Sequence, residues 1–321
     1  MDCQALLARS EDWLKYAVRL DLCGEPKDEL LACKDAALAD ARIGSCLQNI
    51  RNFHETVIAN HKNPNLPIHQ LLFLLDLGFD TGVPEIAKAV DEILSHRDEY
   101  GVYQSVSNIP KHFGGSGEDA FGWSLCDAPL LLLALFKADV EFETFIRPGL
   151  EYLLSLSREN GFPCAVSPEL GRFRGPGRAD DCCPYATLIM ADLLSGLPEY
   201  RDSSAAVSAV NALLNLWENS RSKHPYVFYM GTDFRKLKAP SHWYDIVSVA
   251  NVLSKYPSIR SDPRFLEMIA LIKSKQDAEG FFTPESVYQK YKDWDFGQKK
   301  QPSPYLTFLC LRIFQRLEAS A

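Results

Sequence analysis

The most reactive stretch of the chain is Arg178-Ala-Asp-Asp-Cys-Cys-Pro-Tyr-Ala186, and His242 follows sixty residues after Cys182. Asp180, Cys182 and His242 supply a carboxylate, a thiolate and an imidazole. Zn²⁺ accepts such a donor set while keeping a fourth position for substrate. The same string offers a second chemistry, with Asp180 and Asp181 as an acid pair. A carboxyl poised in a desolvated place, with neighbours controlling its pKa, can protonate a substrate. A plainer reading also fits: Asp180 and Asp181 cap a helix beginning near Cys182, the paired cysteines are small buried residues, and His242 donates to a backbone carbonyl. Cys183 and Asp181 compete for the roles of Cys182 and Asp180. Cys126 and Asp127, at the equivalent place one repeat earlier, and Asp245, one turn into its own helix, can join a polar cluster.

Cations and aromatic rings surround these candidates. Four long loops, 101–122, 162–181, 221–241 and 284–301, together carry a net charge of +4 on a chain whose total is −8. A relatively basic rim on an acidic body focuses an anionic substrate toward it. Arg172, Arg174, Arg178, Lys236 and Lys238, with Lys299 and Lys300, are the candidate partners of an anionic head, although loop cations of this kind are often only solvated. Phe121, Trp123, Tyr185, Trp243, Tyr244, Trp294, Phe296 and Tyr305 interleave with them. Ring faces suit an apolar chain and stabilise a carbocation; large aromatics also simply fill cores.

The elements that must position these groups repeat. Stretches 67–79, 123–137, 183–196, 242–255 and 303–317 are apolar nearly all round, which implies burial on every side. Between them run amphipathic helices beginning at Glu85, Phe142, Ser203 and Asp262, and three of these end in a Gly-aromatic tag: RDEYGVY at Gly101, RENGFP at Gly161 and QDAEGFF at Gly280. A period near sixty residues signals stacked supersecondary units. Buried and half-exposed helices in alternation imply an inner ring wrapped by an outer ring. Ahead of the repeats, EDWLKYAVRLDL stops at Gly24, and two helical stretches follow at roughly 27–41 and 45–61. Convincing strand alternation is absent, YVFYM at 226–230 being the best candidate.

Composition narrows the function. The net charge of −8 argues against a general nucleic-acid binder. LLLLALF at 130–136 is too short to span a bilayer and reads as a buried helix segment, so an integral membrane protein is not expected. The first residues lack the basic flank and apolar run of a signal peptide. Nine scattered cysteines without regular spacing read as free thiols in a reducing, cytoplasmic setting. GGSG at 114–117 lacks the lysine and preceding strand of a P-loop, and no carboxylate pair stands out for glycoside hydrolysis.

Alternating inner and outer helices with Gly-aromatic turns resemble the α/α toroid of terpenoid cyclases and protein prenyltransferase β-subunits, and Gln276–Phe282 is similar to that superfamily's Gln-x-x-x-Gly-x-aromatic repeat. The resemblance implies an all-α toroid of about five to six helical hairpins forming one domain over 1–321, with 62–321 as the repeat body and 1–61 closing or capping the ring. It also implies a central cavity for an isoprenoid or other long apolar substrate with an anionic head. Asp180, Cys182 and His242 match the prenyltransferase zinc pattern of Asp-x-Cys on one inner helix completed by a His opening the next. Arg178-Ala-Asp180-Asp181 resembles the Asp-x-Asp-Asp of protonation-initiated cyclases, with arginine replacing the first aspartate and Asp180 in the proton-donor place. Zinc-assisted prenyl transfer leads, a metal-free cyclase is the alternative, and a non-catalytic toroid binding a lipid or protein partner is the third reading.

Overall fold

A computed structural model describes residues 3–172, 178–220 and 232–319. The chain is mostly helical, with fourteen α-helices and one two-stranded sheet among the described residues. No helix among them is long and apolar enough to cross a membrane. The apolar stretches fold as Pro67–Asp76, Ala128–Lys137, Pro184–Ser195, Ile246–Leu253 and Pro304–Glu318. Eleven of the twelve residues of Pro184–Ser195 are buried, so the all-round hydrophobicity reports burial. The amphipathic stretches fold as Pro84–Leu94, Arg147–Leu154, Ser204–Glu218 and Pro263–Lys273. Asp262 caps the last of these through Arg264 N–H, and proline occupies the first turn where no N–H is needed.

Several boundaries differ from the sequence expectation. The helix ahead of Gly24 changes pitch, running α over Asp12–Ala17 and π over Val18–Leu22. The stretch expected over 45–61 ends as a helix at Ile50. Two inner helices start about four residues late, because Trp123–Asp127 and His242–Asp245 form non-helical approaches that bring polar groups to the helix start. Strands Ser105–Ser107 and Ala120–Gly122 were not expected; they pair antiparallel inside the first long loop, with Val106 opposite Phe121. Three residues are too few for alternation to be legible. YVFYM at 226–230 lies outside the described residues.

Contacts divide the chain into two compact units, one comprising Met1–Cys46, Asp76–Phe79 and Met230–Ala321, the other Leu47–Leu75 and Asp80–Tyr229. The same joint recurs in each. In the second unit Gly161 takes φ 105°, Phe162 N–H donates to Thr187 Oγ1 at 3.0 Å, and Cys183 N–H donates to Phe162 carbonyl at 2.7 Å. In the first, Gly280 takes φ 90°, Phe282 N–H donates to Thr307 Oγ1 at 3.0 Å, and Ser303 N–H donates to Phe282 carbonyl at 2.8 Å. The Gly-aromatic tag therefore clamps the end of an outer helix onto the start of the next inner one. Glycine is required for the left-handed turn. At Gly161 a side chain would also sit 2.8 Å from Thr187 Oγ1 and 3.1 Å from Ala212 Cβ. Gly161→Ala is expected to lower stability by about 2 kcal/mol or more, checked by chemical denaturation; an unchanged midpoint would show that the clamp contributes no stability.

Candidate functional site

In the second unit, neighbouring long loops pack onto one another. Trp123 N–H donates to Ser167 Oγ at 3.1 Å, Leu125 N–H to Ala165 carbonyl at 3.0 Å, and Arg172 N–H to Gly114 carbonyl at 3.0 Å. Trp123 is buried, its indole N–H held by Asp98 at 2.8 Å, and Phe121 stacks on His96 with ring centroids 3.8 Å apart. Arg172 and Arg178 are exposed, while Arg174 lies outside the described residues. Asp180 is exposed, with its backbone carbonyl accepting from Asn160. Asp181 closes a turn by accepting from Arg178 N–H at 3.0 Å. Neither aspartate caps the helix. That place belongs to Cys183, whose Sγ accepts from Ala186 N–H at 3.5 Å. Cys182 is buried, and burial pushes its thiol up to about 11. Tyr185 is buried in the first turn.

The polar cluster of this unit gathers around Cys126, Asp127 and Cys183. Asp127 is 1% exposed and turns back to accept from Ser124, N–H at 2.8 Å and Oγ at 3.0 Å. Its other oxygen has no hydrogen-bond partner and lies 3.7 Å from His61 Nε2, which is itself 3.1 Å from Ser124 Oγ. The interaction of the Cys126 and Cys183 thiols shifts Cys183 below its ordinary range and Cys126 above it. Sequence reasoning named Cys126, Asp127 and Cys183 but missed His61, which sits outside every recurring segment.

In the first unit the second cluster forms where 232–241 meets 284–301. Leu237 N–H donates to Glu285 at 2.8 Å, and Glu285 N–H returns to Leu237 carbonyl at 2.9 Å. Lys236 pairs with Asp233 on the surface. The Lys238 ammonium lies over the Tyr288 ring, 3.4 Å from its centroid. His242 is buried with Nε2 in a 2.7 Å hydrogen bond to the Tyr291 hydroxyl. Trp243 is half-buried, and Tyr244 is buried with its ring 5.3 Å from Phe234. Trp294 and Tyr305 anchor the core: Trp13 lies 4.7 Å from Trp294 and 5.6 Å from Tyr305, ring to ring, and the Arg42 guanidinium covers Trp294. Asp180 and Cys182 belong to one unit and His242 to the other. Among the described residues no three His, Cys, Asp or Glu side chains converge as a group able to hold a metal ion.

Two carboxyls of this unit stand out. Asp245 Oδ1 caps helix Ile246–Leu253, accepting from Ser248 N–H at 2.9 Å and Ser248 Oγ at 3.1 Å. Its Oδ2 is buried without a partner, as is the Tyr288 hydroxyl, which lies in the field of the carboxylate. Burial lifts Asp245 to about 6, opposed by Ser248 and by the charge of Lys238. Asp295 accepts from Ser303 Oγ at 2.6 Å and Tyr305 N–H at 2.9 Å, and burial raises it too. It borders a cavity of about 340 Å³ shared with Arg9, Trp13 and Phe281.

No protein-family model matches the sequence, and no curated protein matches it. One solved structure, of a protein from Actinoplanes, is similar at 13% identity with a TM-score of 0.44, covering 99% of this chain and 96% of that one.

The Asp245 shift has a thermodynamic consequence. The folded state holds this proton more tightly than an unfolded aspartate does, so the stabilisation is complete below about pH 4 and is lost as the pH rises through about 6. Asp245→Asn keeps the acceptor for Ser248 and cannot ionise. It is expected to be more stable than the parent at pH 8, by about 1–3 kcal/mol, and to flatten the fall in stability between pH 4 and 7. Equal parent and variant profiles in urea titrations across this range would remove the buried charge.

Proposed function

We propose that the chain is an α/α-toroid enzyme of the terpenoid-cyclase kind that protonates an unsaturated, isoprenoid-like substrate, with Asp245 as the proton donor. The observation that carries this reading is the pair of unpartnered buried polar atoms, Asp245 Oδ2 and Tyr288 Oη, on a carboxyl whose neutral form is favoured by burial. Native proteins rarely leave such atoms unpaired, so each asks for a polar or reacting group. Helical repeats, apolar inner helices and the three Gly-aromatic tags support the toroid. Asp180 is exposed and Asp181 is half-buried in a turn with Arg178 N–H, so neither has the desolvated place that the acid role needs.

The chemistry follows from the surroundings. Ser248 fixes one oxygen, leaving the other to carry the proton. Transfer to a substrate π-bond leaves a carboxylate and creates a carbocation, and loss of a proton from the rearranged cation restores the balance. Lys238, whose ammonium lies 3.4 Å from the Tyr288 ring centroid, places a positive charge where an anionic head can be met.

The test is turnover of polyprenyl diphosphates and neutral polyprenes, followed by gas chromatography–mass spectrometry of the products. Activity should rise as the pH falls toward 6 and level off below it, because only the protonated carboxyl acts. Asp245→Asn should lose about 100-fold or more, while Asp180→Asn and Asp295→Asn stay near the parent. Products made equally well by Asp245→Asn would reject this assignment. Stoichiometric zinc by elemental analysis, lost in His242→Ala together with prenyl transfer, would replace it with the zinc chemistry of Asp180, Cys182 and His242.

A further inference from the structure

One cavity of the first unit takes no part in the proposed proton transfer. It measures about 340 Å³ and is lined by residues of 9–14 and of 281–304, all within that unit. Cavities of this size hold small organic molecules. Its apolar walls are Trp13, Leu14, Phe281, Pro302 and Pro304. Trp13, Leu14 and Phe281 are buried, and Trp13 is braced by the rings of Trp294 and Tyr305. Walls of this composition take the apolar body of a ligand and leave its polar end to the few charged and amide groups beside them.

The charges on this lining are unevenly matched. Arg9 is turned onto the Phe281 ring, 4.5 Å from its centroid, and is paired with Glu279. Glu11 accepts from the Trp13 indole N–H at 2.7 Å and is paired with Arg42. Asp295 has no ion-pair partner among the described residues. Its Oδ2 accepts from Ser303 Oγ and Tyr305 N–H, whereas its Oδ1 is buried and accepts from nothing. Burial resists the ionisation of Asp295, and the charge of Glu11 adds to that resistance, so a cation brought into the cavity relieves both. Gln301 uses its backbone N–H and carbonyl on the Gln298 side chain, and its own side-chain amide makes no hydrogen bond among the described residues.

The rings of this region already attract cations. Arg9 lies over Phe281, and the Arg42 guanidinium lies 5.9 Å from the Trp13 ring and 5.3 Å from that of Trp294. A guanidinium fork needs two free oxygens and Asp295 offers one, so the compact donor of an ammonium is the better match. We propose that this cavity binds a small primary amine with an apolar body, its ammonium donating to Asp295 Oδ1 and the Gln301 amide oxygen and its body resting against Trp13, Phe281 and the two prolines. The amine site is separate from the acid at Asp245, and either can fail without the other.

The experiment titrates the full-length protein with 2-phenylethylamine at neutral pH by calorimetry, with 3-phenylpropionate as an anionic probe of similar body. The amine should bind about ten-fold or more tightly than the acid. Asp295→Asn keeps an acceptor for Ser303 and Tyr305 but removes the charge, and it should weaken the amine by about ten-fold or more. Gln301→Lys, at an exposed position, sets a like charge beside the ammonium and should weaken it as much while leaving the fold intact. Equal affinity for amine and acid, no binding of the amine up to about 10 mM, or an amine affinity unchanged in either variant would overturn the site. If Asp295→Asn does not fold, Gln301→Lys and the choice between the two probes decide.

Discussion

An apolar helix buried on every side must satisfy the first N–H groups of its backbone without water, and much else in this protein depends on how it does so. Each unsatisfied donor costs on the order of 1–3 kcal/mol. Three of the buried helices meet this demand with a polar side chain at their start: Cys183, Asp245 and Ser303, the last backed by Asp295. Asp127 serves a related end by tying Ser124 into the approach to helix Ala128–Lys137. The Gly-aromatic tags then lock two of these starts to the preceding outer helix through matching bonds to Thr187 and Thr307. The long loops exist to deliver the chain to these points.

Chemistry arises from the same requirement. A carboxylate has more acceptor capacity than one cap uses, so Asp127, Asp245 and Asp295 each retain a buried oxygen without a partner. Where burial dominates, as at Asp245 and Asp295, the neutral acid is favoured. At Cys183 the cap is a thiol instead, accepting from Ala186 N–H. One structural problem, solved with different residues, thus leaves a weak buried acid in one unit and a thiol cap in the other. Neither group must be imported into the fold; each is a cap with something left over.

Helical content, the positions of the buried helices and the role of the Gly tags were legible in the sequence, because all-round hydrophobicity and a left-handed glycine are local signals. The aromatic residues divide: Trp294 and Tyr305 pack on Trp13 as core, whereas Tyr288 and Tyr291, not singled out beforehand, meet His242, and Lys238 covers Tyr288. Nothing in the run Lys-Asp-Trp-Asp-Phe-Gly separates a packing ring from a functional one. The late helix starts at Ala128 and Ile246 were likewise hidden, since Trp123–Asp127 and His242–Asp245 read as helix by composition.

The sequence by itself determined that this chain is a repeat of buried and amphipathic helices, and it drew attention to the loaded string at Asp180–Cys183. Tertiary structure decided which of those residues matter. Adjacent residues at a helix start point in different directions, so Asp180 is left in solvent, Asp181 closes a turn, Cys182 is buried and Cys183 caps the helix. Periodicity fixes the face a residue occupies. Desolvation and the partner across the gap, which set its proton affinity and reactivity, come only from the packing of segments distant in sequence.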